Sequence, residues 1–211
     1  MRSAVALLAL SIVPAAAHGQ ACLGQTPYAS GAVKVLAGVE IGGNDQTVLG
    51  GGAGIGKPKS WFAGLNAGIA TGNGESAFGV GGMGGLELKK PVTGKLELCP
   101  MAGIFHQFGD FSYNNFIAAV GASYPIGSES AKTKLMLVGG YQGIYQRYNL
   151  PAFDGFDGAT AEEWYGNLDL GLGMIFNNRF SLVPQVRIPI RYGGGRDISF
   201  LVRGSVNVGG N

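Results

Sequence analysis

Trp164-Tyr165-Gly166-Asn167-Leu168-Asp169-Leu170-Gly171-Leu172-Gly173-Met174-Ile175-Phe176 decides the fold. Leu168, Leu170, Leu172 and Met174 fall on one side of an extended chain, and Tyr165, Asn167, Asp169, Gly171 and Gly173 on the other. That is the period of two of a β-strand with unlike faces, and it gives no helical stripe. Asn177-Asn178-Arg179 follows as a turn, because Asn tolerates left-handed backbone. A further strand then sets Phe180, Leu182, Val186, Ile188 and Ile190 against Ser181, Gln185, Arg187 and Arg191. A three-residue turn pairs Phe176 with Phe180, and this register places Asp169 directly opposite Arg187.

The same alternation runs outward through the chain. Upstream strands are read at Gly31 to Ile41, Thr47 to Gly56, Trp61 to Ala70 and Ala77 to Leu88. Leu96 to Ile104, Phe116 to Tyr124 and Lys134 to Gln146 follow, and Ile198 to Val208 closes the series. Gly72-Asn73-Gly74 is a turn signal between two of them. The count is about ten antiparallel strands of roughly 9–11 residues, the length a tilted strand needs to cross a bilayer. A count of eight fits if the Gly-rich second and fourth strands are discounted. The longest connection, Arg147 to Glu163, carries Asp154, Asp157 and Glu162 as an external loop, if the N-terminus starts on the periplasmic side.

Composition narrows the choice of solvent. Charged residues are 13% of the 211, against about 25% in globular proteins, while 46% are apolar and 39 residues are Gly. The net charge of +2 gives no electrostatic footprint for nucleic acid. No apolar run reaches the roughly 18 residues of a membrane helix, so a membrane location requires a closed barrel. The alternate faces hold Gly and a few charges, too few to solubilise an exterior. Trp61, Phe116, Tyr124, Tyr145, Trp164, Phe176, Phe180 and Tyr192 lie near strand ends, where interfacial girdles form. Alternation alone leaves the inverse arrangement open, a soluble periplasmic barrel with its polar face outward and a ligand inside.

The first residues read as an export signal. Arg2 is the positive start, Val5 to Val13 the apolar stretch, and Ala15-Ala16-Ala17 and Gly19-Gln20-Ala21 are small-residue cleavage sites. The expected organisation is a cleaved signal over 1–21, a periplasmic segment over 22–30 and a barrel over 31–211. Cys22 and Cys99 are an even pair in an exported chain, where disulfides persist. A bond between them would tuck Cys22 to Tyr28 into the lower mouth of the barrel.

The inward faces carry Lys34, Glu40, Glu87, Glu97, Asp169, Arg187, Arg191 and Arg203, a candidate lumen charge network. Buried charges need partners, so these residues are expected to compensate one another or to form a selecting constriction. A barrel of eight strands has room only for side chains, and ten gives little more. Gly50 to Lys57 lacks the Gly-Lys-Ser/Thr ending of a phosphate loop, because Pro58 comes next. No catalytic, cofactor or metal set emerges. His106 stands in Phe105-His106-Gln107-Phe108, and Phe108 holds the place of the serine in the His-x-Ser pattern of lipid A deacylases.

With these alternating strands, girdle aromatics and inward charges, the mature chain resembles the small outer-membrane β-barrel families of eight to ten strands. One departure is the ending Val208-Gly209-Gly210-Asn211, where such barrels carry an aromatic residue. The resemblance implies an all-β up-and-down transmembrane barrel in a bacterial outer membrane. It implies outer-membrane lipids and the barrel-assembly machinery as partners, and a structural or narrow passive-channel role. A barrel hydrolase is the remaining alternative, with His106 at the rim.

Overall fold

Alternating apolar and small or polar side chains stabilise extended backbone when one face is removed from water, and each strand here follows that rule. The structure, a computed structural model, describes residues 33–42, 46–57, 60–72, 75–88, 96–109, 112–126, 132–150, 159–177, 179–190 and 197–209. Its strands are β1 (Val33–Ile41), β2 (Thr47–Lys57), β3 (Trp61–Gly72), β4 (Glu75–Leu86), β5 (Glu97–Phe108), β6 (Tyr113–Ile126), β7 (Thr133–Leu150), β8 (Ala159–Phe176), β9 (Phe180–Ile190) and β10 (Ser199–Val208). Each pairs antiparallel with its neighbours in sequence, and β1 pairs with β10, so the sheet closes as a ten-stranded up-and-down barrel. Closure leaves no sheet edge around the barrel wall. The count of ten holds, including the Gly-rich β2 and β4.

Register follows the pattern. Phe176 stands opposite Phe180, with ring centroids 5.7 Å apart, and Asp169 stands opposite Arg187. Asn177 takes the left-handed backbone at φ 51, as a tight turn requires. Along β1, Val33, Val35 and Ile41 are exposed, whereas Lys34, Leu36 and Glu40 are buried. The other strands repeat this inversion of the soluble rule. Leu65 is 73% exposed, Phe200 63% and Leu49 60%, all pointing outward.

Several boundaries differ from the sequence reading, and those of β7 and β8 change a residue's assignment. β7 continues to Leu150 and β8 begins at Ala159, so Glu162 is a strand residue opposite Arg147 and not part of a loop. The cause is local pairing. Tyr148 reaches across to donate a hydrogen bond to Glu163 at 2.7 Å, extending the hairpin through residues whose alternation is weak. Asp154 and Asp157 lie outside the described residues, as do the signal segment, His18, Cys22 and Arg191. Glu87 falls just beyond the end of β4, half-buried, with its backbone N–H donating to Ser60 at 2.8 Å. It is a rim residue and not a member of the central network.

The barrel interior is filled by side chains. One cluster joins Phe62, Met83, Cys99, Met101, Phe105, Ile117, Ile144 and Tyr165, and a second joins Met136, Val138, Ile175 and Val183. Glycines on the inner wall of β4 make this packing fit. A Cβ on Gly81 would come within 2.6 Å of the Ile104 carbonyl and 2.8 Å of the Phe105 ring. The absent side chains of β4 are therefore the seat of Phe105 and Phe62.

Candidate functional site

Inward positions on four adjacent strands meet at one level of the lumen. Glu40 comes from β1, Ser199 and Arg203 from β10, Arg187 from β9 and Asp169 from β8. The Arg187 guanidinium is the centre. Its Nε donates to Asp169 Oδ1 at 2.7 Å and its Nη2 to Asp169 Oδ2 at 2.9 Å, the parallel fork that suits a carboxylate. Its Nη1 donates to Glu40 Oε2 at 2.8 Å. Ser199 donates its hydroxyl to Glu40 Oε1 at 2.7 Å, and Gln142 from β7 donates its amide to Asp169 Oδ2 at 3.1 Å. Arg203 approaches Asp169 at 3.7 Å, too long for a hydrogen bond.

Burial is nearly complete. Arg187 and Arg203 are each 2% exposed, Glu40 3%, Asp169 1% and Lys34 0%. Side chains lining an open bore would keep contact with water, so the lumen is occluded at this level. Desolvating these charges costs several kcal/mol per ion, offset here by short charge-assisted bonds on every carboxylate oxygen of the cluster. Nearby, Ser181 and Ser205 hydroxyls lie 2.6 Å apart.

The structure thus gathers Glu40, Asp169, Arg187 and Arg203 from the predicted network and separates Lys34, Glu87 and Glu97 from them. Glu97, at the start of β5, is half-buried and accepts from Ser123 at 3.3 Å. Lys34 is buried near the other end of β1, opposite Asn207. Ser199 and Gln142 were missed as members. Ser199 stands on the predicted inward face of β10, but a hydroxyl carries no sign to match against a partner. Gln142 neighbours Asn167 across the ladder, two residues from Asp169.

Cys99 is fully buried and faces the lumen. His106 faces the other way. Its Nδ1 lies 2.9 Å from Asn114 Oδ1, and its ring meets Phe108 edge-on at 4.4 Å on the outer surface. It is therefore remote from the lumen carboxylates. Among the described residues, no group of His, Cys, Asp and Glu is placed to hold a metal ion, and no helix is long and apolar enough to cross a membrane.

Aromatic rings pair on the outer surface toward the strand ends. Tyr145 lies 4.8 Å from Trp164 and 6.0 Å from Phe116, and Phe78 stacks on Phe108 at 5.9 Å.

No protein-family model matches the sequence, and no curated protein matches it. Solved structures do. The N-terminal β-barrel domain of Pseudomonas aeruginosa OprF aligns with a TM-score of 0.40 at 11% identity, covering 90% of this chain and 100% of that one. LpxR from Salmonella typhimurium aligns at 0.43 and 10% identity, covering 83% of each chain. The KdgM porin, in complex with disordered oligogalacturonate, aligns at 0.41 and 7% identity, covering 83% of this chain and 99% of that one. The chain itself is a closed antiparallel barrel of ten strands.

Proposed function

We propose that this chain is an integral outer-membrane β-barrel with a structural role and a sealed lumen. The observation that carries the reading is the inversion of polarity. Leu, Val, Ile and Phe side chains are exposed on the outer surface of strand after strand, while Lys34, Glu40, Asp169, Arg187 and Arg203 are buried inside. In water such an exterior would aggregate, because apolar patches beyond a few hundred Å² are rare on soluble monomers. In a bilayer it is the stable arrangement. The outward aromatic pairs fit the level of lipid headgroups.

The sealed lumen is supported by the burial of the Arg187 cluster and by Phe105, Ile144 and Val183, each 0% exposed. A narrow conducting role would need these groups to move apart. A catalytic role is poorly served by His106, whose near partners are Asn114 and Phe108 on the outer wall. The soluble ligand-binding alternative would leave the exposed Leu and Phe in water and the charges desolvated, losing on both counts.

The test is cell fractionation with gel mobility of unheated and boiled samples, followed by planar-bilayer conductance of the purified protein. Outer-membrane recovery with a heat-dependent mobility shift and no conductance is expected. Recovery in the soluble fraction would overturn the membrane reading, and steady single-channel steps would overturn the sealed lumen.

A further inference from the structure

Charge is divided between the two ends of the barrel. Because the strands run up and down, one rim carries the start of β1, the end of β10 and the connections β2–β3, β4–β5, β6–β7 and β8–β9. Every lysine of the chain falls at that rim. Lys57 closes β2 and Lys59 follows it, and in sequence Lys89, Lys90 and Lys95 lie between β4 and β5. Lys132 and Lys134 flank Thr133 at the start of β7, and Lys34 is buried near the start of β1. Arg179 joins them at the β8–β9 turn, against Glu87, Glu97 and Glu129.

The opposite rim holds no lysine. Its connections over 42–46, 109–112 and 151–158 contain Asp and no basic residue. With Glu75, Glu162, Glu163 and Asp197, the acids of that end outnumber Arg147, Arg191 and Arg196.

The direction in which the basic rim faces identifies what it meets. Lys57 is exposed on the same outward face of β2 as Ile55, and it stands opposite Trp61 on β3. Trp61, Tyr124 and the Phe176–Phe180 pair set rings on the outer wall at this end. Lys132 and Arg179 are exposed just beyond the Phe176–Phe180 pair. Rings at headgroup level with long cations beyond them form an interfacial anchor, in which the ammonium reaches lipid phosphate. A soluble acidic partner would call for cations directed along the barrel axis, whereas Lys57 and Trp61 face sideways.

We propose that the basic rim binds anionic phospholipid headgroups in the leaflet it faces, with Lys57 and Trp61 in the contact, and that the acidic rim has no such preference. The physical basis is the attraction of interfacial Lys and Arg to a negative membrane surface. The inference rests on the outer-membrane reading above and adds to it a lipid class and a side.

Trp61 and Trp164 are the two tryptophans of the chain, one toward each rim, so either can be made the sole reporter. The full chain, as Trp164→Phe or as Trp61→Phe, is inserted into phosphatidylcholine vesicles. These carry an equal minor fraction of either brominated phosphatidylglycerol or brominated phosphatidylcholine, with bromine near the headgroup end of the acyl chains. Folding is checked by the heat-dependent mobility shift, and local lipid association is read from tryptophan quenching. At Trp61 the anionic lipid is expected to be favoured roughly fivefold, the weight of about one interfacial cation. At Trp164 no preference is expected. Neutralising Lys57, Lys59, Lys89 and Lys90 to Gln, or raising the salt, should remove most of the preference at Trp61.

Equal quenching of Trp61 by both lipids overturns the proposal and leaves the membrane reading standing. If the rim then captures polyglutamate in detergent, an acidic protein segment is its partner. Equal preference at both tryptophans, or a preference that survives both the four substitutions and high salt, also overturns it. Quenching of neither tryptophan removes the membrane reading itself, and the proposal with it.

Discussion

Arg187 holds two buried carboxylates with three hydrogen bonds, to Asp169 through Nε and Nη2 and to Glu40 through Nη1. Replacing it with Ala leaves both acids buried without that cation, a loss of about 3–5 kcal/mol for a broken buried pair. The expected outcome is a lower guanidinium midpoint for unfolding in detergent. Combining Arg187→Met with Glu40→Gln and Asp169→Asn should recover most of it, because the desolvation of charge disappears with the charge. Arg203 behaves differently. Its Nε, Nη1 and Nη2 have no hydrogen-bond partner, and its approach to Asp169 is 3.7 Å. Arg203→Met is therefore expected to be neutral or stabilising in the same titration. A loss as large as that of Arg187→Ala would show that the guanidinium is bound more tightly than this geometry provides.

Among the strands, β4 shows what its glycines do. A side chain at Gly81 would press on the Ile104 carbonyl at 2.6 Å and on the Phe105 ring at 2.8 Å. Backbone cannot yield as a flexible side chain can, so Gly81→Val is expected to cost about 1–3 kcal/mol by overpacking. The check is the temperature at which the heat-dependent mobility shift occurs. Gly109, with nothing within 4 Å of its Cβ, stands outside this packing. At the β8–β9 turn, Asn177 has φ 51, which a β-branched residue resists. Asn177→Val should lower the same temperature, whereas Asn177→Gly should leave it nearly unchanged.

For the whole molecule, the proposal of a sealed lumen in an apolar-coated barrel sets two expectations besides location. The purified protein should show no conductance across a planar bilayer. The second expectation concerns Cys22 and Cys99. Lumen-facing burial of Cys99 and the presence of one other cysteine support a bond between them. Mass spectrometry of the exported protein under alkylation should find both sulfurs blocked before reduction and alkylated after it. Two alkylated thiols without reduction would remove the pairing.

Much of this was legible in the chain. Period-two alternation from Val33 to Val208 marked the strands and their two unlike faces, because a strand between two unlike environments must alternate whatever its neighbours do, while the count of ten rather than eight came from β2 and β4 taking their places in the closed sheet. The Asn177 to Arg179 turn even fixed the register that joins Asp169 to Arg187, since a short turn leaves no slack. The meeting of Arg187 with Glu40, which lies 147 positions away, was not legible. It depends on β1 closing against β10 in one register, Val33 to Val208, which carries Glu40 around to the level of Ser199 and Arg187. Closure and stagger are properties of the whole sheet, with no local signal to announce them. Local alternation therefore determined the barrel and its two faces, and only the closed tertiary structure decided which charges met.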